Sequence, residues 1–142
     1  MNTTTVTVID IPQYPPALTN ERSLDALYAV AHMFLGEDRI EDAVRAFRVL
    51  MRIAPTDERG WLGVGACHER RDELAIASEI YGAGSVVTSP LSWRCVIALA
   101  RLARRRGDTF AADDLLDEAQ SIADANDDED ALVVVDAERG AR

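Results

Sequence analysis

Leu24 through Asp57 and Glu58 through Leu91 align without a gap at a period of 34 residues. Leu27 pairs with Trp61, Val30 with Val64 and Ala31 with Gly65. Ala43 then pairs with Ala77, Phe47 with Tyr81, and Pro55 with Ser89, next to Pro90. Self-similarity at this period predicts a stack of helical hairpins. Each matched position has a physical reason. Ala31 and Gly65 carry almost no side chain, so a second helix can approach closely, and Ala43 and Ala77 meet them from that helix. Phe47 and Tyr81 are placed to fill the space between successive units. Pro55 cannot continue the second helix, and Pro90 suits the first turn of the next. Asp38 and Asp72, again 34 apart, precede the second-helix pattern. They are expected as N-caps, Asp38 forming a capping box with Glu41.

This is the period and pattern of a tetratricopeptide repeat. A third unit begins near Ser92, with Cys95, Ala98, Leu99 and Leu102 at helical spacing. One extra residue is placed before the turn at Gly107-Asp108. After it, Ala112, Leu116 and Ala119 take the places of Ala77, Tyr81 and Gly84. Units over 24–57, 58–91 and 92–125 predict an all-α superhelix, and three is about the minimum for a stable stack. Residues 1–23 are expected as an N-terminal arm. It is extended over 1–16, where Val6, Val8 and Ile9 precede Pro12, Pro15 and Pro16, and ends in a short helix or cap. Residues 126–142 read as an acidic capping segment. Its helix, Ala131 to Arg139, offers Leu132, Val133 and Val135 to the last repeat, against the β-branched preference of Val133-Val134-Val135.

The chain has 142 residues, one domain's worth, and is 48% hydrophobic. It carries 25 acidic residues against 15 arginines and no lysine, a net charge of −10. Such a balance argues against nucleic acid, whose phosphates need positive partners. The charge is local: Asp108 onward holds 12 acids and two arginines, whereas residues 1–107 hold 13 of each. No apolar stretch approaches the ~18–20 residues of a membrane span. Met1 to Thr5 lack a basic or apolar leader, so a cytoplasmic protein is expected. Cys67 and Cys95 form no C-x-x-C pair and are expected as buried free thiols. His32 and His68 stand outside any H-E-x-x-H arrangement, and Gly63-Val64-Gly65 lacks the third glycine of a nucleotide loop. No enzyme activity, metal or cofactor is expected.

The first helices of such repeats line a concave groove. By repeat register the groove residues are Tyr28, His32 and Leu35, then Arg59, Leu62, Ala66 and Glu69, then Trp93, Val96 and Ala100. An aromatic and aliphatic strip of this kind suits a short linear motif with apolar anchors. Core packing is the competing role for Tyr28, Leu62 and Trp93. Arg101, Arg104, Arg105 and Arg106 cluster at the end of the third first-helix. They complement the helix dipole and the acidic last helix, in preference to an anion site.

The run Leu27-Tyr28-Ala29-Val30-Ala31 resembles the L-Y-A-L-A that opens the first repeat of the class II chaperones of type III secretion. Trp61-Leu62-Gly63-Val64-Gly65-Ala66-Cys67 resembles that family's F-L-G-L-G-A-C, a far more specific string. Glu41-Asp42-Ala43, Phe47, Leu74-Ala75-Ile76, Tyr81 and Gly82-Ala83-Gly84 continue the likeness. It covers residues 24–90 and extends loosely to 125. The resemblance implies a cytosolic chaperone that holds a hydrophobic secreted translocator soluble and unassembled. The family's groove takes an extended P-x-L-x-x-P type segment. Tyr28 matches the family's tyrosine, Leu62 and Ala66 keep its residue types, and His32 and Leu35 stand where it has aromatics. Trp93 and the arginine cluster have no family counterpart. The family's N-terminal region contributes to dimerisation and is short here, which implies at most a weak homodimer. The alternative expectation is a general tetratricopeptide scaffold, including another component of the secretion machine.

Overall fold

Helical periodicity dominates the computed structural model, which describes residues 14–141. The elements are α1 (Pro16–Thr19), α2 (Glu21–Gly36), α3 (Ile40–Ile53), α4 (Glu58–Arg70), α5 (Leu74–Val87), α6 (Trp93–Arg105), α7 (Thr109–Ala125) and α8 (Glu129–Gly140). No strand occurs among the described residues. The arm expected at the N-terminus lies, through residue 13, outside them. The pairs α2/α3, α4/α5 and α6/α7 each pack as a helical hairpin, successive pairs stack, and α8 packs on α7. The chain is an all-α tetratricopeptide stack.

Small residues set the spacing within each hairpin. Ala31, Gly65 and Ala100 are buried on the first helices, and Ala43, Ala77 and Ala112 on the second. Phe47, Tyr81 and Leu116, also buried, then fill the space that these close approaches leave. Phe47 belongs to α3 but lies against α4: a Cβ on Gly63 would meet its ring at 2.1 Å. Each such fully buried large side chain stabilises the stack by about 1.5–3 kcal/mol.

The third repeat is offset by 35 residues, and the offset is already present where α6 begins. Asp57 caps α4 by accepting from the Arg59 amide, and Ser92, 35 residues on, caps α6 by accepting from the Cys95 amide. The extra residue therefore lies in the α5–α6 link, not before Gly107. Pro90 sits in that link, after a cis peptide from Ser89 and ahead of the helix, so it is not part of the first turn of α6.

Asp38 and Asp72 are not N-caps. Their φ values are 61° and 59°, in the left-handed region that each hairpin turn requires and that aspartate tolerates. An N-cap needs extended backbone instead. Arg39 and Glu73 occupy the cap positions of α3 and α5, with no side-chain cap bond. Glu41 closes no capping box; it pairs with Arg71 of the next repeat. In the third hairpin the two roles separate. Gly107 takes the positive φ of 80°, and Asp108 caps α7 by accepting from the Ala111 amide.

The β-branched run near the C-terminus is helical, because burial outweighs weak propensity. Ala131 and Val135 join Trp93, Val96, Ile97 and Leu116 in one core, with Leu132 and Val134 packed at its edge. Val133 points away and is exposed.

Candidate functional site

The first helices α2, α4 and α6 enclose a groove of about 500 Å³. Tyr28, His32 and Leu35 come from α2, and Arg59, Leu62, Gly63, Ala66 and Glu69 from α4. Trp93, Arg94, Ile97, Ala98 and Arg101 come from α6, while Phe47, Tyr81 and Val134 reach it from α3, α5 and α8. Of the residues chosen from the repeat register, Tyr28, His32, Leu35, Arg59, Leu62, Ala66, Glu69 and Trp93 line it.

Val96 and Ala100 do not. Both are buried against α7, in the core that contains Leu116 and Ala119. The 35-residue offset explains the difference. It makes Val96 the equivalent of Leu27 and Trp61, and Ala100 the equivalent of Ala31 and Gly65, the small residues of the hairpin interior. Ile97 and Arg101 stand where Leu62 and Ala66 stand one repeat earlier. Measuring 35 residues between the helix caps Asp57 and Ser92 finds them from sequence. Phe47 and Tyr81 were legible as fillers between repeats, but not as parts of the groove floor. Val134 stands six residues after the cap Asp128, as Gly63 and Ala98 stand after Asp57 and Ser92, so it joins the lining once α8 is counted as a further first helix.

At the α2 end the floor is aromatic. Tyr28 and His32 stack edge-on with centroids 4.7 Å apart, and Phe47 lies 6.3 Å from Tyr28 and 5.8 Å from His32. Arg59 closes this end. Its Nη1 donates to Asp25 at 2.6 Å and its Nη2 to Asp57 at 2.7 Å, with the guanidinium 5.4 Å from the Tyr28 ring centre. Burial alone would raise the Asp57 carboxyl. The side-chain and backbone hydrogen bonds from Arg59 outweigh it and hold the group below its ordinary 3.8. The Asp57 hydrogen bond in turn holds Arg59 protonated above its usual range.

In the middle, Tyr81 donates to Glu69 Oε2 at 2.5 Å, and Glu69 Oε1 accepts from Arg105 at 3.1 Å. This line ties α5, α4 and α6 together. Burial, reinforced by Glu69, pushes the Tyr81 phenol well above 10, so it stays a donor.

At the α6 end the Trp93 indole donates to Asp128 at 2.9 Å, which anchors the ring to the start of α8. Arg94 covers the exposed side of that ring at 4.3 Å and donates to Glu58 at 2.7 Å. Arg101 and Arg104 both grip Glu138 of α8, with Arg104 also donating to the Glu138 carbonyl at 2.9 Å. Two members of the arginine cluster, Arg101 and Arg104, thus serve the acidic last helix through one residue, while Arg105 turns to Glu69 of α4. Cys67 and Cys95 are buried free thiols. Among the described residues no group of His, Cys, Asp and Glu could hold a metal ion, and no helix is long and apolar enough to cross a membrane.

No family model matches the chain. Low calcium response locus protein H of Yersinia pestis is 31% identical over 109 residues, 70% of this chain and 65% of that protein. The chain therefore spans just under two thirds of that relative's length. The fold is similar to the Yersinia enterocolitica type III secretion translocator chaperone SycD, with TM-score 0.72 and 25% identity over 87% of this chain and 92% of that one. It is also similar to PcrH in complex with the chaperone binding region of PopD, with TM-score 0.67 and 24% identity over 86% and 92% of the two chains.

Proposed function

We propose that this chain, a member by sequence and fold of the type III secretion translocator-chaperone family, holds an extended apolar segment of a secreted translocator in the groove of α2, α4 and α6. The observation that carries this reading is the series of apolar side chains along the groove. It runs from Tyr28 and Phe47, past Leu62 and Ala66, to Trp93, Ile97 and Val134. The solved relative that carries the chaperone binding region of PopD supports the same use of the fold.

The mechanism is mass action and needs no catalysis. A client that meets the groove before export, in the bacterial cytoplasm, has its apolar motif covered and its free concentration lowered. That keeps it soluble and unassembled. A few buried anchors in a groove of this size suit a dissociation constant between about micromolar and nanomolar.

The test is co-expression with the tagged translocators of the same secretion system. Wild type should co-purify with one of them. Tyr28→Ala and Leu62→Ala should each weaken capture by about tenfold, the cost of losing one apolar anchor. Wild-type capture in both variants would overturn the groove assignment. If no translocator is retained but another component of the secretion machine is, the general scaffold role replaces the chaperone role.

A further inference from the structure

Three arginines on one face of α6 differ from the other cross-helix ion pairs of the fold in which partner is exposed. The side chains of Arg94, Arg101 and Arg105 are 51%, 57% and 50% exposed, while their partners Glu58, Glu138 and Glu69 are only 25%, 15% and 28% exposed. Elsewhere the order is reversed: Arg59 is 23% exposed against 59% for Asp25, and Arg71 26% against 73% for Glu41. On α6 the carboxylates are tucked beneath and the guanidiniums project. Each carboxylate comes from a flanking helix, Glu58 and Glu69 from α4 and Glu138 from α8, so the arginines are fixed from below on both sides. Arg94 and Arg101 also line the groove, on either side of Ile97.

The geometry points to a ridge that selects a client segment carrying two carboxylates around an apolar anchor. This deepens the groove reading above and rests on it. A guanidinium has five donors in a planar fork, and one carboxylate beneath it leaves donors for a second carboxylate above. The guanidiniums stay about half exposed, so each can donate to a second carboxylate from the groove side while keeping the one beneath it. Arg94 and Arg101 are seven residues apart, about 10 Å along a helix at ~1.5 Å per residue. A polyproline II segment covers that span in about three residues at ~3.1 Å each and brings every third side chain back to the same face. The selected segment therefore has acidic residues about three positions apart, with an apolar side chain between them seated at Trp93 and Ile97. The protein's overall negative charge does not oppose this beyond roughly 8–10 Å in physiological salt. Of the acids on α7 and α8, Glu138 is tied beneath Arg101 and Arg104, and Asp128 accepts from the Trp93 indole.

The experiment uses short synthetic peptides with two leucine anchors and Glu, Gln or Lys at two positions three apart, read by fluorescence anisotropy on the full chain. The Glu peptide should bind about tenfold tighter than its Gln isostere, and the Lys peptide weaker still, as expected for charge-assisted hydrogen bonds. The Glu-to-Gln ratio should fall towards one in Arg94→Gln/Arg101→Gln and towards one in high salt. Arg94→Lys/Arg101→Lys keeps the charge but not the fork, and should give an intermediate ratio. Equal binding of Glu and Gln peptides to wild type, or a ratio unchanged in the Gln variant, overturns the ridge and leaves the groove standing. Leu62→Ala should weaken all three peptides alike. If it weakens none of them, or if no peptide binds at all, the groove reading fails and the ridge with it.

Discussion

A methyl group on Gly65 would sit 2.2 Å from Cε1 of Tyr81, so the two residues share one volume across the α4–α5 hairpin. Gly65→Ala gains helix propensity of about 1 kcal/mol. It must also displace a buried ring that is hydrogen-bonded to Glu69. Overpacking of this kind costs about 1–3 kcal/mol, and with that bond strained the net change is destabilising. Gly82, one residue after Tyr81 in the same helix, has nothing within 4 Å of where its Cβ would be. Gly82→Ala should stabilise by about 0.5–1 kcal/mol. Urea denaturation of the two variants should give midpoint shifts of opposite sign.

Val96 and Leu62 should separate stability from recognition. Val96 is wholly buried in the α6–α7–α8 core. Val96→Ala should cost about 1–2 kcal/mol by lost transfer and cavity terms, with client affinity little changed where the protein is folded. Leu62 is half-buried and lines the groove. Leu62→Ala should lower affinity by more than it lowers stability. Paired denaturation and peptide titration check both.

Stability should fall in alkali. Burial pushes the Cys95 thiol from 9.0 up to about 11, against a hydrogen bond with Ser92 that acts the other way. Burial likewise raises Cys67 and Tyr81. These groups hold their protons in the folded state to a higher pH than in the unfolded chain. The Cys95 contribution is therefore complete below pH 9 and is lost as pH rises towards 11, Cys67 acts in the same direction, and the Tyr81 contribution begins to fall only above pH 10. Urea midpoints at neutral pH and at pH 10 should differ, and Cys95→Ala should shrink the difference. A slope unchanged by that substitution would exclude the thiol as its source.

Glu138 takes hydrogen bonds from both Arg101 and Arg104, yet the α8 core contacts are Ala131 and Val135. Glu138→Ala should cost about 1 kcal/mol. The loss should be confined to the last helix. Hydrogen exchange would quicken over α8 while α2 to α5 keep wild-type protection.

Much of the fold was legible because Ala31, Gly65, Phe47 and Tyr81 recur at one fixed spacing, and close helix approach admits few residue types there. The hairpin turns were misread because aspartate serves two purposes. At Asp108 it caps a helix, whereas at Asp38 and Asp72 it supplies a left-handed residue, and both uses stand just before an apolar pattern. The groove was legible on α2 and α4, where the 34-residue measure holds. On α6 it failed by one position, since one residue on a helix turns the side chain by about 100°. Val96 and Ala100 thereby face only the core, Ile97 is buried in that core but also borders the groove, and Arg101 projects beside it. The contribution of α8 depends on a fold-back sealed by Trp93 to Asp128 and Arg101 to Glu138. Those pairs are 35 and 37 residues apart and join α6 to a helix that lies beyond the three matched units.

That fold-back also limits how much of a partner the protein can grasp. With Val134 at one edge and Arg59 braced at the other, the groove has two ends and a finite footprint. A long client leaves most of its length outside. On the proposed function the chain would grip a handle and not a body, so one molecule could escort a protein much larger than itself, and letting go of a few side chains would release the whole cargo.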